Sequence, residues 1–121
     1  MNNEIINKDR INIDRIKNAN INKELNNINN IGFICNDAKN IKNKFDTIIV
    51  DPPRNGLSVY VHEYLNNSGA SEIIYISCNP NTLKRDIEFM NHYEIKSISC
   101  ADMFPRTKHV ETVMVLERKT L

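Results

Sequence analysis

At 121 residues, 40% apolar and 26% charged, the chain is long enough for one small domain and has the make-up of a globular protein. A net charge of +1 leaves no whole-chain basic field, so an RNA partner would be held by a local patch or by another domain. The three cysteines, Cys35, Cys78 and Cys100, are far apart and form no CxxC pair, which excludes an encoded zinc or iron–sulfur site and reads as reduced thiols of a cytoplasmic protein.

The opening segment, MNNEIINKDR, has no signal-peptide core, and no later apolar run approaches the roughly 18 residues of a membrane span. Residues 8–30 are polar, with Ile or Leu at 11, 13, 16, 21, 25 and 28. The 21, 25, 28 spacing predicts an amphipathic helix with an Asn-rich polar face, ending near residues 26–30. Residues 31–35 (IGFIC) read as a strand, followed by the polar turn Asn36-Asp37-Ala38. Residues 45–50 (FDTIIV) are a second strand, and its unbroken apolar run predicts burial on both faces. Pro52-Pro53 ends it, because two prolines cannot continue a ladder. A helix over 57–67 stops at Ser68-Gly69. A third strand covers 72–77, and Pro80 opens a helix over 80–91, where its missing N–H costs nothing. Residues 93–102 alternate like a strand, and a loop over 103–109 leads to a last strand over 111–118. This order predicts an α/β fold with a mostly parallel sheet and an antiparallel hairpin at one edge.

In open α/β sheets, ligands bind beyond the carboxyl ends of the strands. Four such ends carry polar or reactive residues: Asp37, the Asp51-Pro52-Pro53-Arg54 run, Ser77-Cys78-Asn79-Pro80, and the loop that closes on Glu111. Cys78 falls between a strand and a helix N-terminus, whose N–H groups favour a thiolate. The plainer alternative is a small buried apolar residue. Asp51 and Asp37 could equally be turn-forming aspartates. Cys35 and Cys100 lie inside strands and read as structural. His62 and His92 read as helix-surface residues with no partners at metal spacing, and Arg85-Asp86 as a solvated helix face.

Three segments resemble the RNA uracil-C5 methyltransferases, which make 5-methyluridine in ribosomal and transfer RNA. Asp51-Pro52-Pro53-Arg54-Asn55-Gly56-Leu57 is similar to that family's DPPRxG motif. The run from Tyr75 to Asp86 is similar to its YxSCNPxTLxRD motif, and the run from Asp102 to Glu111 to its DxFPxTxHVE motif. Asn18-Ala19 and the FICNDA run at 33–38 add a weaker likeness, so the resemblance covers nearly the whole chain.

The resemblance implies the C-terminal portion of a Rossmann-like class I methyltransferase fold, with residues 1–121 a partial catalytic domain. It implies S-adenosylmethionine as cofactor and uridine in RNA as substrate, with the Asp102–Pro105 stretch leaning toward ribosomal over transfer RNA. Cys78 is expected to be the nucleophile that adds to C6 of the base, and Glu111 the base that removes the C5 proton. Asp51 and Asp37 are expected at the cofactor, and Arg54, Asn79 and Arg85 at the substrate. No metal or membrane is expected to take part. An RNA cytosine-C5 enzyme is the competing chemistry, but such enzymes typically carry a second cysteine after the motif proline, where this chain has Arg54 after Pro53.

Two departures shape a further expectation. The glycine-rich motif that cradles the methionine part of the cofactor is missing, with Gly32, Gly56 and Gly69 the only glycines. The acidic residue that ends the second strand is not clearly present either, Glu4 lying about two residues too early. The first two strands are therefore expected to be absent, leaving a gap in the sheet and a fragment that needs an N-terminal part for activity, with a non-catalytic remnant or binding module as the alternative.

Overall fold

The computed structural model describes residues 3–6, 10–34, 40–102 and 110–120, with side chains from residue 13 onward. They fall into two units, Met1–Ile41 and Lys42–Leu121.

The first unit is a β-α-β arrangement. Strand β1 (Asn3–Ile6) runs parallel to β2 (Ile31–Ile34), with helix α1 (Arg10–Leu25) between them in sequence. Strand β1 corrects the expectation that both leading strands are absent. Asn3 and Glu4 are poor strand formers, so only Ile5-Ile6 carried a signal. Glu4 lies inside this strand, opposite Gly32, and not at its carboxyl end.

Helix α1 ends where its asparagines allow. Asn27 adopts φ +53°, Ile28 N–H donates to Lys23 O (3.0 Å) and Asn27 N–H to Glu24 O (3.1 Å), a Schellman-type close. The predicted apolar stripe is a correction: Ile21 and Leu25 are exposed, and Ile16, Ala19, Asn20 and Lys23 are half-buried. At about 100° per residue, 16, 19, 20 and 23 share one arc of the helix, and 21 and 25 lie opposite.

The second unit holds a four-stranded sheet in the order β3-β4-β6-β5, formed by β3 (Thr47–Val50), β4 (Glu72–Ser77), β6 (Glu111–Arg118) and β5 (Tyr93–Ala101). Strands β3 and β4 are parallel, and β6 is antiparallel to both β4 and β5, which makes the expected hairpin at the sheet's edge. Helices α2 (Val59–Asn67) and α3 (Pro80–Glu88) complete the unit.

Alternation along the central strands sets the core. Ile73 and Tyr75 on β4 and Met114 and Leu116 on β6 are buried with Leu65 of α2 and Leu83 of α3. The opposite face, with Ile74, Ile76, Val113 and Val115, is half-buried. Strand β3 departs from its predicted double burial, because it is an edge strand of this sheet and Ile49 is 63% exposed.

Candidate active site

Strand polarity gathers the reactive residues. The parallel strands β3 and β4 end at one edge of the sheet, so Asp51 and Cys78 leave the sheet side by side. Strand β6 begins at that edge, with Thr112 opposite Ser77 and Glu111 opposite Ala101. Asp51, Cys78 and Glu111 thus share one sheet edge. Asp51 is exposed, while Cys78 and Glu111 are half-buried. Among the described residues, none of these three side chains is engaged in a hydrogen bond or ion pair.

The backbone around Cys78 is pinned on both sides. Ser77 Oγ donates to Asn79 O (2.9 Å) and accepts from Asn79 N–H (3.0 Å). Asn79 caps α3, its Oδ1 accepting from Asn81 N–H at 3.1 Å, and Pro80 takes the first helical position as expected.

One face of α3 holds the loop after β3. Asn79 Nδ2 (3.2 Å) and Thr82 Oγ1 (3.1 Å) both donate to Arg54 O. Arg85 Nη2 donates to Asn55 O at 2.7 Å, and Leu57 N–H donates to Asp86 Oδ2 at 2.9 Å. Gly56 makes this approach possible. It turns the loop through a Gly56 N–H to Pro53 O bond (2.9 Å) at φ +82°. A Cβ there would lie 2.6 Å from both Arg85 Nη2 and Asp86 Oδ2.

Asp86 overturns the reading of a solvated helix face. Its carboxylate is fully buried and accepts from Tyr75 Oη and Leu57 N–H on Oδ2. On Oδ1 it meets His62 Nε2 at 2.7 Å and Arg85 Nη2 at 3.0 Å. Burial alone would raise its pKa, but the bonds from Tyr75, Leu57 N–H, His62 and Arg85 outweigh it and hold the carboxyl below the usual range. Burial first, then the hydrogen bond to Asp86, push the Tyr75 phenol well above its ordinary value. His62, expected on the surface, is buried and stacks on Phe89 with ring centroids 5.0 Å apart. The signal available in the sequence was the Tyr75 and Asp86 ends of one motif, eleven residues apart on a strand and the helix that follows it.

The remaining sites divide plainly. Arg54 is exposed and Asn79 and Arg85 are committed to loop backbone. His92 is exposed as expected, but in the turn after α3 and not on a helix, with Nδ1 2.8 Å from Asn66 O. Cys100 lies within β5 and is exposed. Asp37, Cys35 and the loop 103–109 lie outside the described residues. Among the described residues, no helix is long and apolar enough to cross a membrane.

A family model described as tRNA (uracil-5-)-methyltransferase matches residues 1–119. The chain belongs to this family. The relatives agree. An RNA methyltransferase of Clostridium acetobutylicum, without assigned specificity, is 44% identical over 114 residues, covering 89% of this chain and 25% of that protein. The tRNA (uracil(54)-C(5))-methyltransferase of Pyrococcus furiosus is 45% identical over 103 residues, covering 85% of this chain and 25% of its own length. The crystal structure of the Pyrococcus abyssi tRNA (uracil-54, C5)-methyltransferase with S-adenosyl-L-homocysteine superposes with a TM-score of 0.84 at 38% identity, over 96% of this chain and 29% of that one. The fold is accordingly a partial Rossmann-like class I methyltransferase fold. The chain spans about a quarter of the length of these curated relatives. Where the family model and the Pyrococcus proteins name an RNA, it is tRNA, so the lean toward ribosomal RNA gains no support from them.

Proposed function

We propose that this chain carries the catalytic residues of an S-adenosylmethionine-dependent methyltransferase that modifies C5 of uridine in RNA. The observation that supports this reading is the meeting of Asp51, Cys78 and Glu111 at one sheet edge, in a chain of the uracil-C5 family. S-adenosylmethionine supplies an electrophilic methyl group on a sulfonium. The chain's own residues supply the rest. Cys78 Sγ, as thiolate, adds to C6 of the uracil and turns C5 into a carbon nucleophile. Once C5 carries its methyl group, Glu111 takes the C5 proton, the C5–C6 double bond re-forms and the Sγ–C6 bond breaks. Asp51 is assigned to the cofactor and the target base, and Asp37 to the adenosine side. Arg54 is assigned to the RNA backbone, and Asn79 and Arg85 serve the substrate through the loop they hold. The target base has to leave its stack to reach Cys78.

The residues present fit part of a cofactor site. An exposed carboxylate at the end of β3 suits its polar groups. No glycine cradle is in evidence: the space above Gly56 is filled by Arg85 and Asp86, Gly69 follows α2, and Gly32 lies in β2. This supports a second reading, in which the chain is a catalytic portion that depends on a cradle supplied by further protein. Thermal unfolding with and without S-adenosylhomocysteine separates the two. A transition raised by ligand supports cofactor binding by the chain itself; a cooperative transition indifferent to ligand supports the second reading.

The chemistry is tested by incubating the protein with S-adenosylmethionine and 5-fluorouridine-substituted RNA. The C5 fluorine cannot be removed as a proton, so a denaturation-resistant protein–RNA adduct through Cys78 is expected. Adduct with transfer RNA, with ribosomal RNA or with both decides the RNA class. An adduct that persists in Cys78→Ala would overturn the mechanism.

A further inference from the structure

We propose that Asp86 is a positioning residue for this reaction, setting the placement of the 51–57 loop relative to Cys78. The proposal rests on the functional reading above. Helix α3 begins two residues after Cys78, so whatever its side chains hold is held at a set place relative to the thiol. Its face made by Asn79, Thr82, Arg85 and Asp86 takes three polar groups of the loop backbone: Arg54 O, Asn55 O and Leu57 N–H. Asp86 is the one fully buried member of that face. Its carboxylate also orients Arg85, whose Nη2 bridges Asp86 Oδ1 at 3.0 Å and Asn55 O at 2.7 Å. Tyr75 and His62 fasten the same carboxylate to β4 and α2. Every lone pair of a buried carboxylate is thereby occupied, and such a group resists displacement. The loop so fixed carries Asp51 and Arg54, and misplacing a substrate-holding group by about 1 Å can cost on the order of a hundredfold in rate.

A purely structural role would show only in stability, so the test reads geometry and rate. The full chain is compared with Asp86→Asn, which keeps shape and one acceptor oxygen, well below the unfolding midpoint of either. Amide hydrogen exchange reports the loop, and the rate and RNA concentration dependence of adduct formation with 5-fluorouridine RNA report positioning. We expect exchange at Leu57 to rise at least about tenfold while β4 amides stay protected. We expect the maximal adduct rate to fall about ten- to a hundredfold, with half-saturating RNA unchanged. Exchange at Leu57 unchanged in Asp86→Asn overturns the anchor. Released exchange with a wild-type adduct rate overturns the positioning role. Absence of adduct with an unsubstituted protein whose transition is raised by S-adenosylhomocysteine is a different failure, because it removes the functional reading itself and the role that depends on it. Should Asp86→Asn fold poorly, Thr82→Val, which drops one bond to Arg54 O at the same face, is expected to lower the rate in the same direction by a smaller factor.

Discussion

Asp51 and Asp86 stand on the two sides of one loop and live under opposite conditions. Asp51 is exposed at the end of β3, with its carboxylate uncommitted among the described residues. Asp86 is fully buried, with four donors converging on its two oxygens. Both belong to segments that resemble family motifs, yet only the first has a carboxylate available for chemistry. Burial separates a carboxylate open to a ligand from one held in the frame. The same division separates Cys78, half-buried at the sheet edge, from His62, buried against Phe89.

Removing a reacting group should give the largest effect and leave the frame intact. Cys78→Ala is expected to abolish adduct formation and to lower methyl transfer at least about a thousandfold, with the unfolding midpoint nearly unchanged. Glu111→Gln should slow turnover by about 10²–10⁴-fold while a methylated Cys78 adduct accumulates, visible by mass spectrometry on unsubstituted RNA. Loss of the folded state in either variant would erase the contrast between reacting and holding residues.

Striking the frame should do the reverse. Gly56→Ala combines φ +82° with a Cβ 2.6 Å from Arg85 Nη2 and Asp86 Oδ2. Expected destabilisation is about 2 kcal/mol, read as a fall of roughly 10 °C in Tm. A Tm unchanged within a degree would mean that the loop is not pressed against α3.

The acid limb is a finer probe of the same carboxylate. The Asp86 pKa is lowered on folding from its ordinary value of 3.8. Its contribution to stability is therefore complete above that value and is lost as pH falls through the lowered one. Urea midpoints of the wild type should drop more steeply below about pH 4 than those of Asp86→Asn. At the other end the Tyr75 phenol is raised from 10.0, so its contribution is full below pH 10 and fades as pH rises beyond it. Tyr75→Phe should flatten the alkaline limb and make the acid one shallower as well, because the Tyr75 bond is the largest of those that lower the Asp86 pKa.

How legible this was depended on whether local signals decided the outcome. Helix α3 was readable because Asn79 and Pro80 are local start signals, and the antiparallel pair β5 and β6 because alternation and a short connection are local too. The shared edge of Asp51 and Cys78 was readable because strand ends in an α/β sheet already point to a site, whereas Glu111, at the start of β6, stood out only through the resemblance. Strand β1 was missed because four residues with two isoleucines make too short a period to count. Burial of Asp86 and His62 was unreadable, since it depends on α2, α3 and β4 meeting around one carboxylate. The exposure of Ile49 was misread for a related reason. An apolar run reports what a strand could bury, and its position at the edge of this sheet decides what it does bury.

The smallest expected effect closes the comparison between the cysteines. Cys100 has the same thiol as Cys78 but sits in the edge strand β5, exposed, with Sγ 3.9 Å from Thr112 Oγ1. It lies one register step from the start of β6, where its neighbour Ala101 faces Glu111. A solvent-exposed thiol without packing contributes little to stability, so Cys100→Ser should change it by less than about 0.5 kcal/mol. Because the variant leaves Ser77, Asn79 and the α3 cap untouched, the adduct rate should stay within about twofold of wild type. Cys78→Ser is an equally small change in volume, and it should eliminate the adduct. If Cys100→Ser instead slowed the reaction tenfold, the nucleophile's surroundings would extend across β6 to the edge strand, and the site would be wider than the Asp51, Cys78 and Glu111 edge.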